Sequence, residues 1–429
     1  ETTVLQLLQI IGGIEGDIVG TSAQSLSLSY LMTSFPPISD SSVWQSADGT
    51  FPKLVSDTDH ACDLPINHSS IANQVSNNRG SEDSPITLCN SSQAVEINNY
   101  TDLSYRLLDN IYVGDVLDTN KISLFSGNFL GNNKLLHGLN LSSAGSILSS
   151  SGNGRTGFFS RITSTGVVKD IKFVGVGAIS QSTGVSELGI VAGRNEGLIE
   201  NVEVFMGQFS HIGSGPSGII AGSNMGTIKN VKANFINFPS VTSNKVGGIA
   251  GENQGTISKA VSYISANLNS GKEFGAIVGY NSGTISQIRT GASININNSA
   301  STDVGAVAGI NLSSGIIEDS FVEQMSELRI SITGESKIGG LVGNNLGTIR
   351  RSIFAGAVEK LSSSPSSNVG TIAGQNSGTI NSTYTSSQPS ANAKENLTID
   401  YKTSNGTSCT LALTAPPTLS GNVFVSSNR

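Results

Sequence analysis

Seven segments of the chain repeat one pattern, G-x-[IVL]-[AV]-G-x-N, then a short glycine-containing turn and an apolar residue. This repetition constrains the fold more than any other feature. The segments are 189–199 (GIVAGRNEGLI), 218–228 (GIIAGSNMGTI), 247–257 (GGIAGENQGTI), 275–285 (GAIVGYNSGTI), 305–317 (GAVAGINLSSGII), 339–349 (GGLVGNNLGTI) and 370–380 (GTIAGQNSGTI). A degenerate copy, 157–168 (GFFSRITSTGVV), precedes them. Their asparagines are Asn195, Asn224, Asn253, Asn281, Asn311, Asn345 and Asn376, with successive spacings of 29, 29, 28, 30, 34 and 31 residues.

Two or three glycines in each unit exclude a helix, where each costs about 1 kcal/mol. A unit of about 30 residues cannot bury its apolar face alone and must stack on its neighbours. Extended coils stacked at about 4.8 Å per step give an all-β protein, a parallel β-helix (β-solenoid) of about eight coils with an N-terminal cap. Val191, Ile220, Ile249, Ile277, Val307, Leu341 and Ile372 then point inward, and the chain returns to the core at Ile199, Ile228, Ile257, Ile285, Ile317, Ile349 and Ile380. The flanking glycines suit bends where a Cβ would clash or φ must be positive. The seven asparagines are expected to form a ladder, each amide bonding to the next coil. A β-propeller needs longer repeats with four strands each, and a leucine-rich repeat needs leucines at fixed spacing.

Composition agrees. Charged residues are only 13% and aromatics 6%, while 37% hydrophobic content suffices for an aliphatic core. The formal net charge of −7 argues against nucleic-acid binding, which needs a basic stripe. No apolar run reaches the length of a membrane span. Four scattered histidines and three cysteines offer no metal cluster, and no cofactor is implied. Cys62 and Cys89 lie in one polar stretch, 58–93, which reads as a linker; a disulfide between them is expected to tie down the loop, with free thiols as the alternative. Residues 94–156 read as the solenoid cap, with 100–108 as a short helix, 157–387 as the solenoid and 388–429 as a C-terminal tail or cap with a terminal strand pair in 410–425. The stretch 43–55 (VWQSADGTFPKLV) reads as a hairpin turning at Asp48–Gly49. The chain opens at Glu1 on residues resembling ordered protein, as expected of a mature or excised piece of a longer polypeptide.

The repeat resembles the GLUG repeat of large bacterial surface and secreted proteins, and 125–141 (FSGNFLGNNKLLHGLNL) is similar to the stretch that commonly precedes such repeats. Residues 43–55 resemble the segment that commonly closes an array, which implies that 1–57 ends a preceding repeat module. The resemblance implies a rod on the bacterial surface and no catalytic residues.

Stacking lets columns be tested for chemistry. The position after the core isoleucine runs Glu200, Lys229, Ser258, Ser286, Glu318, Arg350, Asn381, and the next runs Asn201, Asn230, Lys259, Gln287, Asp319, Arg351, Ser382. No two acids are neighbours in either, so neither supplies a glycosidase-like carboxylate pair. Glu318 with Arg350 and Asp319 with Arg351 are expected as surface ion pairs. The Thr column before the isoleucine is too narrow and broken to be more than β-branched strand residues. The inter-repeat loops, beginning with 209–217, carry the candidate binding residues Phe209, His211, Phe238, Pro239, Lys272 and Glu335. The expected function is adhesion, without catalysis, to a glycan or protein of a host, prey or neighbouring cell, from a secreted or outer-surface location. A polysaccharide-active enzyme or a non-binding stalk are the alternatives.

Overall fold

The computed structural model describes residues 64–113, 122–139, 154–180, 186–211, 215–238, 244–268, 273–298, 301–323, 326–332, 336–362 and 368–385, with Cys62, Leu141 and the short strands 44–45, 53–54, 399–402 and 408–411. The protein is a parallel β-solenoid. Two sheets of short strands contain eight parallel strands each. One runs from Arg155–Thr156 to Asn368–Gly370 and the other from Phe159–Ile162 to Ala373–Asn376. A third sheet is built from long strands, including Val167–Ser180, Leu198–His211, Thr227–Phe238 and Thr256–Leu268, which in later coils break into shorter pieces. Each coil thus runs short strand, bend, short strand, turn, long strand.

Like aligns with like. Ile199 pairs in register with Ile228, then Ile257, Ile285, Ile317, Ile349 and Ile380. Those from Ile199 to Ile349 are fully buried. Along Thr256–Leu268 buried and outward residues alternate, the two-residue period of a strand with one face in the core. The Asn ladder forms: each Nδ2 donates to the Oδ1 of the next coil at 2.8 Å from Asn195 to Asn345, and at 2.7 Å from Asn345 to Asn376.

The repeat glycines serve close approach rather than positive φ. A Cβ on Gly255 would lie 2.1 Å from the Gly226 carbonyl oxygen of the coil below. Positive φ falls instead two residues after the core isoleucine, on Asn201, Asn230, Lys259, Gln287, Asp319, Arg351 and Ser382, with φ from 47° at Ser382 to 56° at Gln287 and 52° at Lys259. Asn and Asp adopt this left-handed corner at less cost than Lys. At the early coils the corner carries a second, exposed ladder, in which Asn230 Nδ2 donates to Asn201 Oδ1 (2.5 Å) and Asn201 Nδ2 to Asp170 Oδ1 (2.7 Å). Lys259→Asn therefore relieves backbone strain and extends that ladder. It should stabilise the protein by about 1 kcal/mol, read as a raised denaturant midpoint with an unchanged m-value.

The expected linker is folded. Helices Pro65–His68, Ile71–Ser76 and Ser91–Glu96 and strand Ile86–Leu88 occupy it, and Ile71, Ile86 and Leu88 are fully buried. Its polar composition misled because the buried glutamines are satisfied: Gln74 receives the Thr87 N–H (2.8 Å) and donates to the Thr87 carbonyl (2.9 Å), and Gln93 receives the Cys89 N–H (2.6 Å). Cys62 and Cys89 are bridged across a separation of 27 residues. The helix expected over 100–108 is instead strand Ser104–Leu107, pairing parallel with Ile86–Leu88 and Asn128–His137. Tyr105 and Leu107 are buried and Arg106 exposed, so the strand alternation outweighs local helix propensity. Trp44–Gln45 pairs antiparallel with Lys53–Leu54 as expected, the turn at Asp48–Gly49 lying outside the described residues. Near the C-terminus Ser408–Leu411 pairs antiparallel with Ile399–Lys402, and the strand pair expected in 410–425 lies, beyond Leu411, outside the described residues.

His137 is fully buried in the cap beside the Tyr112 ring (centroids 5.1 Å apart), and burial pushes its imidazole down to about 3. The folded pKa lies below the unfolded one near 6.5, so unfolding takes up a proton between these values. The neutral-imidazole contribution is fully present above about pH 6.5 and is lost as pH falls toward the folded value, by up to about 1.4 kcal/mol per pH unit. Melting temperature followed from pH 7 to pH 4 should fall less steeply in His137→Phe than in the parent protein.

Candidate functional site

The loop candidates separate on inspection. Phe209 and Phe238 are not exposed binding residues: they are 1% and 0% exposed, and the Phe209, Phe238 and Phe274 rings pack in a row with centroids 5.4 and 5.8 Å apart. Each lies on the inward parity at the edge of its coil, where an aromatic ring closes the core more cheaply than it can stand in water. His211 ends the long strand Leu198–His211, its side chain outside the described residues, as are Pro239, Lys272 and Glu335. Six of the ladder asparagines, Asn195 to Asn345, are fully buried and closed to a partner, and Asn376 on the last coil is half-buried.

The outward face of the long-strand sheet is more informative. Four residues after each core isoleucine stands an outward side chain, and register pairing stacks these as Lys172, Glu203, Lys232, Val261, Arg289, Phe321, Ile353 and Tyr384. The first three are charged, with Lys172 3.9 Å from Glu203. The last three are apolar or aromatic and exposed, by 40%, 41% and 52%. At about 4.8 Å per coil they form a strip about 10 Å long, with Arg289 one step beyond it. Among the described residues of the coils, the other large exposed hydrophobics, Met225 and Leu346, stand singly at turns. Three in one column on three successive coils form an exposed apolar strip.

Arg289 is held at the head of the strip. Its Nε donates to Glu323 Oε1, which also accepts the Tyr263 hydroxyl at 2.7 Å from two coils below. Gly291 lies between them, paired with Tyr263 across the strands, so no side chain intervenes. The Glu323 side chain is 11% exposed and that of Arg289 60%. Burial, then the bond to Glu323, raises the Tyr263 hydroxyl above its ordinary range, and the bond to Glu323 raises Arg289. This cluster escaped sequence reading, although the constant offset of four from the isoleucine was available to find it.

Other charges mainly tie coils together. Glu187, 5% exposed, accepts from Arg155 Nε (2.6 Å), Arg194 Nε (3.0 Å) and Ser223 Oγ (3.0 Å), linking three coils. The expected Glu318–Arg350 and Asp319–Arg351 pairs form at 2.6 and 2.7 Å. One stacked acid pair does occur, outside the two columns read from sequence: Glu273 and Asp303 are register neighbours, flanked in the same column by Lys245 and Lys337. Burial raises the Asp303 carboxyl, partly offset by Lys337 at 3.9 Å and a hydrogen bond from Asn344. Among the described residues no group of three or more His, Cys, Asp or Glu could hold a metal ion, and no helix is long and apolar enough to cross a membrane.

No protein-family model and no curated protein matches the chain. Among solved structures, the chain is similar to a "putative immunoglobulin A1 protease" from Bacteroides ovatus, at 18% identity and a TM-score of 0.46, over 63% of this chain and 86% of that one.

Proposed function

We propose that the protein is an adhesin-like rod of the bacterial surface or exterior, of the GLUG-repeat kind, which meets a glycan or protein of another surface through the strip Phe321, Ile353, Tyr384. The exposed strip is the observation that carries this reading. Tyr, Phe and Arg supply much contact energy per residue, and here they sit on a rigid sheet that loses little entropy on binding. The Cys62–Cys89 bridge supports a location outside the reducing cytosol.

The test is binding of purified protein to glycan arrays and to intact cells. The triple variant Phe321→Ser, Ile353→Ser, Tyr384→Ser should retain its melting temperature and lose at least tenfold in affinity, since each buried aromatic or aliphatic contact contributes about 1 kcal/mol or more. Undiminished binding by the variant would remove the reading. The Glu273–Asp303 pair favours one alternative, action on a polysaccharide. Release of reducing ends from a uronic polysaccharide, abolished by Glu273→Gln, would replace adhesion with catalysis.

A further inference from the structure

We infer that Arg289 is a receptor for the carboxylate of an acidic polysaccharide, with Phe321 as the platform for the sugar ring. This rests on the reading of the strip as a binding surface and names the chemistry it selects. Arg289 has a single side-chain partner among the described residues: Nε is committed to Glu323. Both Nη groups are left as donors on a guanidinium whose orientation is already set. That is the geometry a carboxylate takes bidentately, with little rotamer entropy left to lose.

Glu323 does not compete with the incoming anion. Its side chain is 11% exposed, and Oε1 is taken by Arg289 and Tyr263, so the carboxylate acts as a brace under the arginine. The neighbouring coil places Phe321 in register with Arg289, and Ile353 and Tyr384 continue the line. An aliphatic carboxylate would use only the first of these features. A pyranose bearing a ring carboxylate uses both, its charge on the guanidinium and its C–H face on the ring. Further sugars of the chain would lie along Ile353 and Tyr384. A phosphate or sulfate ester sets its charge away from the ring and would leave the platform empty.

The experiment measures binding of the full chain to polygalacturonate, to the same polymer after reduction of its carboxyl groups, to neutral dextran, and to polyglutamate. Polygalacturonate should bind, weakening with salt, and the carboxyl-reduced polymer and dextran should not. Arg289→Gln should weaken polygalacturonate binding by roughly tenfold to a hundredfold, Arg289→Lys by less, because one ammonium cannot grip two oxygens. Phe321→Ser should weaken polygalacturonate binding without affecting any residual binding to polyglutamate. Equal binding of reduced and native polymer, full binding by Arg289→Gln at an unchanged melting temperature, or preference for polyglutamate would each overturn the assignment. Failure here with strip-dependent binding to cells intact leaves the adhesive reading standing; loss of both removes it.

Discussion

Asn281→Asp is expected to cost about 3 to 5 kcal/mol at neutral pH, the penalty of an uncompensated buried charge. Asn281 is fully buried in the middle of the ladder. Its Nδ2 donates to Asn311 Oδ1 at 2.8 Å and to the Gly283 carbonyl at 3.2 Å, while its Oδ1 accepts from Asn253. An aspartate keeps the acceptor and turns the donor into a second oxygen facing two oxygens. Burial and this repulsion raise its pKa, so the protonated acid, which can donate to Asn311, should recover part of the loss as pH falls toward 5. Denaturant unfolding at two pH values reads both effects. The same change at Asn376, half-buried on the last coil, should cost much less. Equal losses at both positions would show that the amide ladder does not work through buried donor–acceptor pairing.

Breaking the Cys62–Cys89 bridge, by reduction or by paired Ser replacement, should destabilise the cap by about 3 to 4 kcal/mol, the loop-closure entropy returned to an unfolded segment of this length. The bridge closes a 27-residue span holding two short helices and one strand, none long enough to persist alone. Its loss should appear as early, selective proteolysis within residues 62–99 while the coils from Asn195 onward remain protected. A reduced protein with an unchanged melting profile would show that the buried Ile71, Ile86 and Leu88 hold the cap without covalent help.

The coils were legible because their code is local and repeated. An inward aliphatic residue, a glycine at a close approach and an asparagine at the turn recur in every unit, and register then follows from matching each coil to the last. The cap was not legible, since residues 62–93 have no period. Their glutamines and threonine resemble solvated linker residues until Gln74 is seen bonding the Thr87 backbone, and Gln93 the Asn67 carbonyl, in a closed core. The binding candidates fared worst. Phe209 and Phe238 sit in sequence where loops begin, and only the fold shows that their strands carry them inward.

Repetition alone determined that this chain stacks into a parallel β-solenoid with an internal amide ladder, because no single unit can bury its own apolar face. Tertiary structure decided which side chains outside that repeat share a surface. The strip from Arg289 to Tyr384 joins residues 31 or 32 apart in sequence, and a strand's two-residue parity settles inward from outward only once the corner after each isoleucine has been placed.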